Sequence, residues 1–345
     1  LARASNSIQF QCRGGVIKSV DDHVICWLEP SADPLAVSVS CSPMVRPKAR
    51  RSPVPTSKSQ LTSDPVQRWK QVVRLPLPVL RDDSVLNLEE IPLPLENPYG
   101  RAVRPADVNF FATGRAALVT YDGDVWLCDG LQPGSREVVW RRFTSGLHEP
   151  LSIRIRDGEI FVFDRSGLWR LHDRDMNGEA DYHELFCSRI HQSAETREFP
   201  LSLELQSDGS FLVSKPGQMG TFSAILRISP DGGDVELIAS GFRQPYLGYD
   251  HATGQIAASD QQGNWVPSSP VHFIKQGGFY GFRRSETLED LPVTPPLTWI
   301  PHAECGSATS VVLMRNAKMG PLNDKPILLC YHPPSLMQVH TDIDE

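Results

Sequence analysis

The chain has 345 residues, enough for one large core or a domain with an appendage, and carries a formal net charge of −7. That charge gives no support to nucleic-acid binding, which needs a clustered basic surface, and no apolar run reaches the length of a membrane span. Helical periodicity is nearly absent, while 25 glycines and 29 prolines punctuate strand-length apolar runs, so the chain is predicted to be all-β.

Residues 1–42 hold short alternating runs, notably Gly15 to Lys18, His23 to Trp27 and Leu35 to Ser40. They predict an N-terminal β fragment belonging to a preceding domain. Residues 43–66 are rich in Pro, Ser, Lys and Arg and poor in large apolar side chains, the composition of a solvated linker. The opening LARASN lacks an initiator Met and reads as a mature or excised start. The closing HTDIDE follows a strand-like run, so part of the architecture is expected beyond it. Order resumes at Trp69, with strands expected over Trp69 to Leu80 and Ser84 to Leu93.

From residue 105 onward one grammar repeats. A proline leads in at Pro105, Pro150, Pro200 and Pro245, and a turn glycine follows at Gly114, Gly158, Gly209 and Gly254. Six places after each glycine stand Thr120, Asp164, Lys215 and Asp260. Spacings of about 45 to 50 residues match four-stranded propeller blades. An irregular β-sandwich would keep two landmarks in register only by coincidence. The expectation is therefore a β-propeller over 67–345 of the six-bladed type, either completed by residues 69–95 or incomplete in this chain. Four blades are read at Val108 to Phe143, Leu151 to Phe186, Leu201 to Ala239 and Tyr246 to Phe282, and a fifth starts near Trp299.

Propeller geometry nominates a site. The innermost strand of a blade begins at the channel mouth, and the antiparallel second strand ends there. Lead-in residues Arg104, Glu149, Arg197 with Glu198, and Arg243 with Gln244 should meet the strand-end residues Thr120, Asp164, Lys215 and Asp260. Such charge at a concave mouth either binds a ligand or pairs internally and seals the opening. His302, near Glu304, is a candidate base at the start of the fifth blade, and His148 precedes the second lead-in. Both also suit structural hydrogen bonding.

A second feature runs from Asp173 to Glu184 (DRDMNGEADYHE). Asp173, Asp175, Asn177, Glu179, Asp181 and Glu184, with Gly178 at the sharp turn, follow the spacing of a twelve-position calcium loop. Strand-like flanks place it in a hairpin, where calcium would stiffen blade two; the alternative is a solvated acidic turn. The seven cysteines show no CxxC and no CxxCH, which excludes the usual zinc and c-type haem spacings here. Most sit among apolar residues and read as buried thiols, with a Cys12–Cys41 or Cys26–Cys41 bridge left open.

Particular phrases go further than the fold. RRFTSGLHEPLS (141–152), RLHDRDMNGEADYHE (170–184), SDQQGNWVPSSP (259–270) and GGFYG (277–281) resemble the propeller of large secreted planctomycete and verrucomicrobial proteins named as membrane-bound dehydrogenases or haem-binding proteins. The resemblance spans about residues 69–340 and implies a periplasmic or extracellular location, with a cytochrome c domain outside this chain. GFRQP, SDQQ and GGFYG are more distantly similar to glucose/sorbosone dehydrogenase propellers, which use pyrroloquinoline quinone and calcium. By that resemblance Arg243 contacts quinone or substrate with Gln261 beside it, Lys215 and Arg104 share the cofactor rim, and His302 or Asp260 takes the proton. Two departures stand out. Gln244 replaces an Asn, and Arg197 occupies the place of the catalytic His, where a permanently protonated guanidinium cannot act as a base. Two readings follow: a quinone-dependent oxidoreductase acting on sugars or alcohols, or a non-catalytic, calcium-stabilised propeller that binds a glycan or a protein partner.

Overall fold

The computed structural model describes residues 67–78, 89–191, 197–216, 223–261, 266–282, 291–315 and 320–340, together with the backbone of four strands ahead of them. The chain divides into two compact units, Leu1–Asp64 and Pro65–Glu345. In the first, β1 (Ile8–Arg13), β2 (Val16–Val20), β3 (His23–Trp27) and β4 (Ser38–Pro43) pair antiparallel as β1–β4 and β2–β3.

The second unit is a β-propeller. Among the described residues it contains five blades and no α-helix, only a single 3-10 turn at Gly320–Leu322. No helix among the described residues is long and apolar enough to cross a membrane. Blade one takes β5 (Val73–Pro76), β6 (Pro105–Phe110), β7 (Ala116–Thr120), β8 (Val125–Asp129) and β9 (Glu137–Thr144) in the order β6-β7-β8-β9-β5. Blade two is the meander β10 (Ser152–Arg156), β11 (Glu159–Asp164), β12 (Gly167–His172) and β13 (Tyr182–Cys187). Blade three follows as β14 (Ser202–Leu205), β15 (Phe211–Lys215), β16 (Ala224–Ile228) and β17 (Val235–Ser240). Blade four begins with β18 (Tyr246–Tyr249), β19 (Ile256–Ser259) and β20 (Ser268–Phe273). The chain then lays β21 (Gly278–Phe279) parallel to β17 before β22 (Thr298–Pro301) completes blade four. Blade five holds β23 (Ala308–Leu313), β24 (Pro326–Cys330) and β25 (Ser335–Gln338).

The apolar runs explain this stacking. A middle strand of a propeller blade faces a neighbour on each side, so both its faces must be apolar. AALVT of β7 and FLVSK of β15 are buried along their whole length. Separate clusters fill each seam: Val119, Phe143 and Ile153 between blades one and two, and Phe161, Leu203 and Phe211 between two and three. Phe242, Leu247 and Tyr280 fill the next seam, and Val271, Val311 and Leu328 the last. A fully buried side chain of this size stabilises the fold by roughly 1.5–3 kcal/mol. Gly248 sets how closely blades four and five approach, since a Cβ there would lie 2.2 Å from the Val311 carbonyl oxygen.

The repeat grammar holds in three dimensions. Gly114, Gly158, Gly209 and Gly254 all have positive φ, between 75° and 84°, as their hairpin turns require. The inner strands β6, β10, β14, β18 and β23 contact one another in succession and line a central channel of about 780 Å³. Arg154 on β10 bridges to Asp107 of blade one and Glu204 of blade three, each at 2.6 Å, and so ties three inner strands together.

Several expectations are corrected. Trp299 does not open the fifth blade: its strand pairs with β20 and finishes blade four. Nor do residues 69–95 supply a further blade. Val73–Pro76 pairs with the outer strand of blade one, where Val73, Leu75, Leu77, Leu93 and Tyr99 cover Leu118, Trp126 and Trp140. Residues 89–93 form no strand, and 79–88 lie outside the described residues. A sixth blade is not among the described residues. Cys128 and Cys187 are buried free thiols as expected, but Cys305 and Cys330 form a disulfide. The side chains of Cys12, Cys26 and Cys41 lie outside the described residues.

Candidate functional site

Each of the four strand-end residues closes or directly follows its blade's second strand, and each is almost fully buried. Burial of a polar group demands partners, and the partners show what the position does. In blade two, Asp164 accepts the backbone N–H of His148 at 2.9 Å, those of Ser166 and Gly167, and the Trp169 indole N–H. In blade four, Asp260 accepts the N–H groups of Arg243 at 2.9 Å, Gln244 at 2.6 Å and Gln261 at 2.8 Å. Both carboxylates fasten the segment that leads into their own blade. Burial nevertheless pushes the Asp260 carboxyl up to about 6, against the three amides and the nearby Arg243 that favour its charged form.

Blades one and three reach the same end with other groups. The Thr120 hydroxyl engages Asp124, while Asp122 accepts the Arg104 backbone N–H and its guanidinium at 2.6 Å. That guanidinium holds Asp122 below the usual carboxylate range. Blade three inverts the polarity: Lys215 pairs with Glu198 and donates to the His191 carbonyl, and both charged side chains are shielded from solvent. An ammonium at the strand end thus meets a carboxylate on the lead-in. Sequence spacing placed Glu198 and Lys215 at one mouth but gave no sign that they pair.

The remaining nominees meet between blades three, four and five. Arg243 donates to the Gln261 carbonyl at 2.9 Å and to its side-chain oxygen at 3.4 Å, and Gln261 donates to Ser307 at 2.6 Å. Burial lowers the Arg243 pKa; the negative charge of Asp260 opposes this and the positive charge of Arg197 adds to it. His302 lies on the connection from β22 to blade five, its Nε2 buried without a hydrogen-bond partner among the described residues. No ion pair joins His302 to Glu304 among those residues.

The acidic loop is partly assembled. Carboxylate oxygens of Asp173, Asp175 and Asp181 lie within 4.8 Å of one another. Burial and the neighbouring Asp175 push the Asp173 carboxyl upward, although the Gly178 and Asn177 amides favour its charged form. The other acidic nominees are turned elsewhere. Glu184, drawn into the β12–β13 ladder, bonds His172 at 2.7 Å, and buried Glu179 accepts the backbone N–H groups of Arg68 and Trp69, each at 2.7 Å. The Asn177 side-chain oxygen accepts the Glu179 N–H.

No family model matches the chain, and no curated protein matches it. Solved structures do share its fold. The PQQ-bound form of an aldose sugar dehydrogenase from Streptomyces coelicolor is 13% identical with a TM-score of 0.53, the match covering 70% of this chain and 79% of that one. The apo-form of the soluble aldose sugar dehydrogenase from Escherichia coli is 9% identical with a TM-score of 0.55, covering 70% and 84%. The calcium structure of a Trichoderma reesei carbohydrate-active enzyme of family AA12 is 12% identical with a TM-score of 0.52, covering 81% and 88%. At these identities the likeness bears on the fold: the chain has the propeller architecture of sugar dehydrogenases.

The buried ion pair is directly testable. Lys215→Met takes the ammonium away from the buried Glu198 carboxylate, and is expected to cost about 3–5 kcal/mol in urea unfolding. Adding Glu198→Leu should recover most of that loss. A double variant as unstable as the single one would contradict this assignment.

Proposed function

We propose that this chain is an exported, dehydrogenase-like propeller that binds a sugar or glycan at its mouth without oxidising it. The observation that carries the reading is the prior use of three mouth carboxylates that an oxidation could enlist. Asp260 accepts three backbone amides, Asp164 accepts three and an indole, and Glu198 is matched by Lys215. Arg197 stands where the resemblance puts the proton acceptor, and a guanidinium cannot take a proton. Export rests on the resemblance to the planctomycete and verrucomicrobial propellers.

Pyrroloquinoline quinone would supply hydride acceptance when bound. The fit is partial: the Arg243 guanidinium suits its carboxylates, whereas Lys215 is paired with Glu198 and Arg197 stands in the place of the catalytic His. No catalytic step is therefore derived through it. The Arg243–Gln261 pair is the observation that favours the oxidoreductase as a second reading.

Calcium is proposed at Asp173, Asp175 and Asp181, which offer three of the six to eight oxygens the ion takes. Since Glu179 of the same loop holds the Arg68 and Trp69 backbone, an ordered loop would also secure the segment covering blade one.

Two measurements test these readings. With pyrroloquinoline quinone and calcium added, a panel of sugars and alcohols should give no dye reduction above background. Quinone-dependent reduction that disappears in Arg243→Ala would install the oxidoreductase instead. For the loop, calcium should raise the melting temperature relative to chelator, and Asp173→Ala should erase the difference. Superimposable curves for the unaltered protein would remove calcium.

A further inference from the structure

One cluster at the mouth is used neither by the fastening contacts within blades two to four nor by the Arg243 corner. Tyr121 and Phe199 meet edge to face, their centroids 6.4 Å apart. The Arg104 guanidinium lies over Tyr121 at 4.8 Å, and that of Arg165 over Phe199 at 5.1 Å. Between them, Glu149 accepts from Arg165 at 2.5 Å and shares a hydrogen bond with the Tyr121 hydroxyl. The five side chains come from blades one, two and three, and none is fully buried.

Two further observations point to a ligand. Glu149 holds φ at 48°, in the left-handed region, directly before Pro150, where the chain ordinarily extends. Such backbone strain costs about 1–3 kcal/mol and collects at ligand sites. The charges also cancel, Arg104 against Asp122 and Arg165 against Glu149. The patch therefore offers ring surfaces and directional hydrogen-bonding groups, but little net field.

We infer that Tyr121 and Phe199, framed by Arg104, Arg165 and Glu149, form a subsite for a neutral saccharide ring. The inference rests on the sugar-binding reading above and gives it a location. The C–H face of a pyranose is faintly positive and packs against the negative face of an aromatic ring. Guanidinium and carboxylate groups beside that ring direct hydrogen bonds to its hydroxyls. A charged sugar gains nothing from a patch whose own charges are matched.

The test is saturation-transfer NMR and calorimetry on the full chain with cellobiose, maltose and glucuronic acid as probes. At least one neutral disaccharide should bind, independently of salt, and Tyr121→Ala and Phe199→Ala should each weaken it by ~tenfold or more. Glu149→Gln keeps the side-chain length, so it should weaken binding while the melting curve stays close to the original. Undiminished binding in all three variants would overturn the subsite and leave the sugar-binding reading standing. Absence of disaccharide binding to the unaltered chain would overturn both. A preference for glucuronic acid that fades with salt would overturn the neutral-ring assignment.

Discussion

The mouth of this propeller depends on buried polar groups at the ends of the second strands. A blade's lead-in segment crosses from an outer strand to the next inner strand and brings backbone N–H groups that the sheet cannot satisfy. Asp164 and Asp260 satisfy them from within the same blade. The cost of burying a carboxylate is offset by several amides converging on it. The same contacts set where Glu149 and Arg243 begin, so rim chemistry is built on structural bonds.

That constraint separates two kinds of residue that look alike in a sequence. Asp260 and Lys215 are charged, near the opening and spaced like a site, yet both are occupied by the fold. The residues one place beyond Thr120, Asp164 and Asp260, namely Tyr121, Arg165 and Gln261, are only partly buried. Blade three shows that the position tolerates either sign of charge provided the partner is reversed with it. The proposed binding chemistry therefore falls on residues beside the fasteners.

Much of the architecture was legible because the repeat is carried by backbone chemistry. Gly114, Gly158, Gly209 and Gly254 mark turns that need positive φ, and the place six residues on lands at a strand end by strand length alone. What was not legible depends on pairing across distance. Trp299 belongs to blade four because of its ladder with Pro270, and Val73–Pro76 to blade one because of its ladder with Glu137–Trp140. The Cys305–Cys330 bridge, 25 residues apart, has no local spacing signal. The calcium-loop pattern named six ligands because it assumes a chain free to wrap an ion. Here β12–β13 pairing sets Glu184 opposite Arg170, and Glu179 serves the segment ahead of blade one. At the mouth, the spacing found the strand ends but could not say which charges the fold would consume. The Tyr121–Phe199 contact joins blades one and three and could be found only by asking what flanks each nominated position.

Amide hydrogen exchange tests most directly whether each strand-end carboxylate fastens its own lead-in. In Asp260→Ala, protection should fall at the Arg243 and Gln244 amides while the His148 amide keeps its own. In Asp164→Ala the pattern should reverse. Unchanged exchange at these amides, or a uniform loss across all blades in either variant, would contradict the account.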